Sequence, residues 1–441
     1  MTARGLLANR DARLYLIGQT LSLLGDSAMW LACGIWVKTL TGSSAAAGLT
    51  FLFFSLPTLL APLSGLLVDR VRRRPLLVAA NLAGALVVAP LLLVSDSGDV
   101  WLIYTVMLLY GWLNVLVAPA QSALLSTLLP TELRPSANAA LRTAQEGLRI
   151  VAPLAGAGLF TLVGGQLVVL LDMVTFLAAA ACTAALSLRE PKPTRTAHDL
   201  TGGAVRPTKA GRLTAFGRDL GAGFHFLLAN KTLRGVTIGT AVATLVIGFS
   251  DSANYAVVDG LRQVPEFLGV LQMVQGVGAI VGGLTATWVM RRFGEIKVAA
   301  AGVAFFALGP LFMTIAFLPA ALAGKVLCGI GLPWMAIAIL TLFQRVSPNH
   351  LQGRVFSALE VLTSAPHIMS IGVGAALIAS FDYRLVLGAE GLVLLLSGWV
   401  LFGLARAGGA LAPPPDEPGP AAPQPPPQAT TATVVAVKDP A

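Results

Sequence analysis

Charge is scarce in this sequence. Of 441 residues only 12% are Asp, Glu, Lys or Arg, against roughly 25% in an ordinary soluble domain, and 56% are hydrophobic, with a mean hydropathy of +0.78. A water-soluble globular chain is thereby set aside. Aromatic residues make up 7%, and the basic residues fall in short clusters between apolar runs. No basic face with stacking rings exists, so the net charge of +9 does not signal nucleic-acid binding. Cysteine is rare as well. Cys33, Cys182 and Cys328 each lie inside an apolar run, with no Cys or His nearby at metal-ligand spacing, and read as small buried hydrophobes. The four histidines, His198, His225, His350 and His367, never approach one another at ligand spacing, which removes metal-dependent chemistry and the simplest intramembrane enzymes. No Gly-x-x-x-x-Gly-Lys-Ser/Thr loop is present, so ATP drive would need another subunit. No metal and no cofactor are expected, and the chain is not expected to be an enzyme.

Apolar length is what the sequence has. A membrane-crossing helix needs about 20 mostly apolar residues, and twelve runs meet that measure: 14–37, 45–68, 75–95, 100–124, 140–162, 166–187, 235–257, 267–290, 297–318, 320–343, 355–379 and 384–405. The first follows Arg4, Arg10 and Arg13, as a signal peptide's core would, but it exceeds the roughly 7–15 residues of such a core and lacks a small-residue cleavage site. It is read as a retained span. With the N-terminus cytoplasmic, 25 of the 30 Lys and Arg residues fall on the cytoplasmic side. Only Lys38, Arg262 and Arg384 fall outside, and Arg149 and Lys325 fall within spans. The positive-inside rule therefore predicts an all-α, multi-pass cell-membrane protein with both termini cytoplasmic.

The longest polar interruption, Arg189 to Arg234, divides the runs six and six. It predicts an N-terminal six-helix bundle over 1–188, a cytoplasmic linker over 189–234, a C-terminal bundle over 235–406 and a disordered Pro-rich tail over 407–441. Within the linker, Leu213, Phe216, Leu220, Phe224 and Leu227 recur at three- and four-residue steps, one face of a helix expected along the membrane surface. The halves also resemble each other. Asp26-Ser27-Ala28-Met29-Trp30 parallels Asp251-Ser252-Ala253-Asn254-Tyr255, and Leu129-Pro130-Thr131-Glu132-Leu133 parallels Ser347-Pro348-Asn349-His350-Leu351. Parallel repeats about an axis along the membrane normal belong to transporters whose substrate path lies between the halves.

The loop after the second run reads Gly65-Leu66-Leu67-Val68-Asp69-Arg70-Val71-Arg72-Arg73-Arg74. It resembles the signature loop of the major facilitator superfamily, with Arg72 in place of the second Gly. Gly65 allows close helix approach, Asp69 suits a helix N-terminus, and Arg70 and Arg73 can pair with acids across the cytoplasmic face. The resemblance implies a conformational latch of Gly65, Asp69, Arg70 and Arg73, joined by Arg354 in the second half. The corresponding place there, Gly283 to Gly294, keeps Arg291 and Arg292 but has Thr287 where an Asp would stand. Further stretches, Leu129-Pro130 through Ala140, Leu171-Asp172-Met173-Val174-Thr175-Phe176, Leu233-Arg234-Gly235 and Gly353-Arg354-Val355-Phe356, resemble the branch containing the enterobactin exporter and macrolide efflux proteins. Ala152-Pro153-Leu154-Ala155-Gly156-Ala157 is similar to an antiporter element, with two of its glycines replaced by Ala.

Ionisable groups inside a bilayer are costly and so mark function. Asp26 lies about twelve residues into the first run, near mid-depth, too short to snorkel, and is the leading proton or cation site. Its repeat mate Asp251 is a second candidate. Glu146 and Arg149, with Arg142, share one helix face by their spacing and serve either as a titrating pair or as a permanent ion pair. Glu360 and His367, seven apart on one face, are further candidates, expected to turn toward the second or fifth span. Asp172, Lys325 and Glu390 each begin about six residues from the outer surface; Lys325 can snorkel, and the resemblance implies a structural role for Asp172. By the same resemblance, the first, fourth, seventh and tenth spans line a cavity. Trp30, Asn114, Gln121, Tyr255 and Trp334 would offer it aromatic surface with sparse polar handles, suited to a bulky, partly apolar ligand.

These features predict a secondary active transporter, a monomer in the lipid bilayer that exchanges protons for hydrophobic or amphipathic small molecules such as antibiotics, siderophores or other natural products. The alternatives are import of a small solute, or a receptor or channel without coupling. An importer of polar solutes would carry more polar residues in the cavity spans, and a channel would not need the repeat.

Overall fold

The computed structural model describes residues 9–61, 64, 71–130, 133–187, 209–229, 231–348 and 351–407. They form helices only, with no strand among the described residues. α1 (Arg10–Thr41) starts where Asn9 accepts the amides of Asp11 and Ala12 and ends at Gly42, whose φ of 69° suits a residue without Cβ. α2 (Ser44–Ser55) is capped by Ser43 and runs into a 3₁₀ turn at Leu56–Leu60. α3 (Arg73–Val88), α4 (Val100–Leu128) and α5 (Arg134–Ala184) complete the first half. α6 (Lys209–Ala229) connects it to α7 (Lys231–Gly260), α8 (Leu268–Phe293), α9 (Glu295–Met313), α10 (Leu318–Val346), α11 (Gln352–Ser380) and α12 (Tyr383–Ala407).

Ten helices among the described residues are long and apolar enough to cross a membrane, against the twelve runs of the sequence. Two local features account for the difference. The second run lies partly outside the described residues, and its described part is the short apolar helix Ser44–Leu60. The fifth and sixth runs join end to end in α5 across Gly164, which has φ 78° and ψ 172°. That left-handed backbone reverses the chain without a polar loop, which glycine allows at little steric cost. Prolines sit inside α4, α5, α9, α10 and α11, as membrane helices tolerate when neighbours satisfy the freed carbonyls.

Large apolar side chains point outward around the bundle, with Leu86, Leu93, Leu162, Leu284 and Trp399 among the most exposed. In water this surface would be untenable; in hydrocarbon it is neutral. Inside, glycines bring backbones together. A methyl at Gly156 would strike Ala28 of α1, and one at Gly302 would strike Gly331 and Met335 of α10. The predicted linker helix is present as α6. Leu227 is fully buried, and Gly223 lies against the Arg354 carbonyl and Ala358 of α11. Its apolar face is thus docked on the second half rather than left for the membrane surface.

Helix packing between the halves is tight at one end and, among the described residues, sparse at the other. At the end bearing Gly42 and Asp259, α2 packs on α7 and α11, and α5 on α8. Gly48 abuts the Ser252 backbone, and Gly269 abuts Pro153, Leu154 and Ala157, so the Ala152–Ala157 element is an inter-half contact. Lys38 ties this end shut: its ammonium meets the Gly42 carbonyl at 2.8 Å, Ser44 Oγ at 2.9 Å and Asp259 Oδ2 at 2.5 Å. In contrast, among the described residues the main packing of α4 is on α1, α2 and α3, and that of α10 on α8 and α9, with Tyr110 reaching Phe176 of α5 and Lys325 reaching Asn254 of α7, all within their own halves. A gap between the halves therefore opens toward the end where α1 begins and α12 finishes.

Candidate functional site

Two polar clusters lie deep in the bundle, one per half. In the first, Asp26 of α1 is half-buried, and the Tyr110 hydroxyl of α4 donates to its Oδ1 at 2.5 Å. The Tyr110 ring is wedged between Phe54 and Phe176 at centroid distances of 5.9 and 5.8 Å, which fixes the hydroxyl's aim. Asp172, on the second segment of α5, is 1% exposed and within electrostatic reach of Asp26 and Tyr110. It lies against the backbone of Gly25, the residue before Asp26, where a Cβ would collide with Asp172 Oδ1 and Thr175 Oγ1. Thr175 Oγ1 donates to the Asp172 carbonyl at 2.8 Å, and Asp172 Oδ2 has no partner.

In the second half, His367 Nε2 of α11 lies 3.0 Å from Asp251 Oδ2 of α7, with side chains 32% and 40% exposed. Asp251 is twenty residues into the thirty of α7, so this partly exposed pair lies well inside the span. His367 is thus turned to α7, not to the second or fifth span. Behind the pair, the Ser250 hydroxyl donates to Glu390 Oε1 of α12 at 2.7 Å; Glu390 is fully buried and its Oε2 has no partner. Lys325 of α10, 4% exposed, donates to Asn254 Oδ1 at 2.8 Å and Gln275 Oε1 at 3.2 Å, within electrostatic reach of Asp251 and Glu390. Amide oxygens at close range and two acids farther off offset part of the cost of burying an amine there.

The expected cavity residues divide. Trp30 lies against Phe51 at 4.7 Å, and Phe51 stacks on Tyr255 at 6.1 Å, so one aromatic row crosses from α1 through α2 to α7. Tyr255 itself is completely buried, its hydroxyl 3.4 Å from the Leu31 carbonyl and its ring against Gly34. It bridges α7 to α1 between the halves. Asn114 is exposed on α4, and Gln121 donates through Nε2 to buried Gln19 while its carbonyl accepts from Tyr15. Trp334 faces inward within its own half, its indole N–H donating to Thr285 Oγ1 at 3.0 Å and its ring 5.2 Å from Phe305.

The remaining candidates are not gathered into either cluster. Glu146 is exposed on α5, and the side chains of Arg142 and Arg149 are outside the described ones. Glu360 is exposed and accepts from Ser364 at 3.2 Å. Of the latch residues, Gly65, Asp69 and Arg70 lie outside the described residues; Arg73 opens α3, and Arg354 lies in the first turn of α11 beneath α6. What sequence reasoning undervalued are Asp172, Lys325 and Glu390, with Tyr110 and Ser250 as their neighbours' donors. The signal was available, because an ionisable residue inside an apolar run has no cheap structural excuse.

The architecture has known counterparts. The bacterial homologue of the iron transporter ferroportin in its inward-facing state is 16% identical, covering 90% of this chain and 98% of that one with a TM-score of 0.67. Its outward-facing state gives 0.56 at 17% identity, over 90% and 100% of the two chains. The nucleoside transporter NupG gives 0.70 at 12% identity, over 90% and 100%. Comparison with curated proteins finds no match. The sequence profile of the Major Facilitator Superfamily matches residues 15–262 and again 236–440. With both halves accounted for by one profile and the fold shared with solved transporters, the chain belongs to the Major Facilitator Superfamily of membrane transporters.

Proposed function

We propose that this transporter is a proton-coupled exporter of hydrophobic or amphipathic small molecules, in the branch of the enterobactin exporter and macrolide efflux proteins. In this reading twelve spans cross the cell membrane, counting α5 as two and the second run as one, with both termini cytoplasmic. The end bearing Lys38 and Asp259 then faces outward, and the gap opens to the cytoplasm. The observation that carries the reading is Asp26, a carboxyl at mid-depth, partly open to the gap and gripped by a buried tyrosine.

An unneutralised carboxylate opposes closure of the gap around it, because closing removes its water without supplying a counter-charge. In the outward-open form a proton taken by Asp26 removes that penalty, so the halves re-close with the site loaded, and the proton is released when the cytoplasmic gap opens, in exchange for substrate. The aromatic row of Trp30 and Phe51 and the exposed Asn114 give a bulky apolar substrate contact surface with few polar demands. The test is Asp26→Asn in inverted vesicles, with a panel of fluorescent lipophilic drugs. Export driven by the pH gradient is expected to vanish while insertion and drug binding persist. Undiminished gradient-driven export by the variant would remove Asp26 from the mechanism.

A further inference from the structure

The two polar clusters share a plan. Each half has an aspartate open to the gap on its first helix, Asp26 on α1 and Asp251 on α7, and a buried acid on its last span, Asp172 and Glu390. The buried acids are 218 residues apart, the same separation as Pro130 and Pro348 in the repeated loop, so they hold corresponding places in the two halves. They share an unusual state too. Asp172 Oδ2 and Glu390 Oε2 are both buried polar atoms without a hydrogen-bond partner.

We propose that each half contains its own proton-binding station, a gap-facing aspartate backed by a buried acid, and that Asp172 and Glu390 are the inner acceptors. A bare carboxyl oxygen, sealed from water, is where an added proton removes charge without breaking an existing bond. In the first half Tyr110 stands between the outer and inner acids. In the second, Ser250 binds Glu390 and is the chain neighbour of Asp251, whose carboxylate meets His367. A proton arriving at His367 or Asp251 has Glu390 behind it through one residue of backbone. The titratable or charged groups facing Glu390 are Asp251 and Lys325, with Cys328 nearby; those facing Asp172 are Asp26, Tyr110 and Cys33. Lys325 makes the stations unequal, since among the described residues only the second has a basic side chain in reach. The role of the stations in transport rests on the proton-coupled reading above, but their occupancy is measurable without transport.

Infrared spectra of the purified full-length protein, titrated over pH in lipid, read protonated carboxyl groups directly. Wild type is expected to show a buried carboxylic acid band with two components. Glu390→Gln should remove one and Asp172→Asn the other, each about half of the amplitude. A band unchanged by both substitutions overturns the proposal, and one that responds to Asp172→Asn alone reduces it to a single station and overturns the duplication. Should Glu390→Gln fail to insert, Ser250→Ala serves instead. It takes a hydrogen bond from Glu390 Oε1 and should shift that component's frequency, whereas an unshifted band counts against Glu390. Loss of pH-driven export with intact bands, or the reverse, separates failure of the coupling reading from failure of the stations.

Discussion

The hydroxyl of Tyr110 is a single atom on which the first cluster turns. It donates to Asp26 at 2.5 Å from a ring held by two phenylalanines, so Tyr110→Phe removes the donor and leaves the packing. Hydrogen bonds to charged groups contribute about 1.5–3 kcal/mol, and the variant's gradient-driven export rate is expected to fall roughly ten- to a hundredfold. Thermal stability should change by little. An unaltered rate, with an unaltered dependence on pH, would leave Tyr110 a packing residue. At this scale the sequence was only partly legible. Asp26 stood out because it interrupts an apolar run, but its partner sits 84 residues away on another helix and no periodicity links the two. The same holds for Asp251 and His367, 116 residues apart.

At the scale of elements, α1, α2 and α7 meet in the clasp of Lys38, Ser44 and Asp259. Ser44 Oγ also donates to Asp259 Oδ2, at 2.6 Å, so one carboxylate holds two elements of the opposite half. Lys38 is 8% exposed and the Asp259 side chain 47%, which places the pair above a fully solvated surface bridge, worth about 0.2–1 kcal/mol. Asp259→Asn is expected to shift the equilibrium by a few-fold toward the form open at the Lys38–Asp259 end. The shift is read as slower labelling of Asn114→Cys from the face where the termini lie. The exchanged pair, Lys38→Asp with Asp259→Lys, should restore the wild-type labelling rate if charge is what matters. Element boundaries followed from apolar length where a polar loop separates the runs. They held at Gly164 too, where the runs 140–162 and 166–187 leave only a few residues for the reversal and one glycine's positive φ makes it.

For the whole molecule, the division into halves was legible as a polar interruption and a repeat, since the membrane forces every crossing to declare itself in about 20 apolar residues. Which end is closed was not legible. That depends on glycines such as Gly48 and Gly269, whose value lies in what the other half presents to them. The docking of α6 was equally hidden. Its apolar face was visible, but an apolar stripe fits a lipid surface and a protein partner alike.

That docking has a consequence for taking the molecule apart. Because α6 is seated on α11 through Gly223 and Leu227 and packs on no helix of the first half to a comparable degree, it belongs to the second half as a building block. A gene cut between Ser187 and Lys209 should yield two polypeptides that find each other in the membrane and transport together. A cut after Ala229 would strand α6 on the wrong fragment, exposing the groove on α11, and the co-expressed pieces should assemble poorly. Co-purification of differently tagged fragments distinguishes the two, and equal recovery from both cuts would show that α6 is a tether whose seat on α11 is incidental.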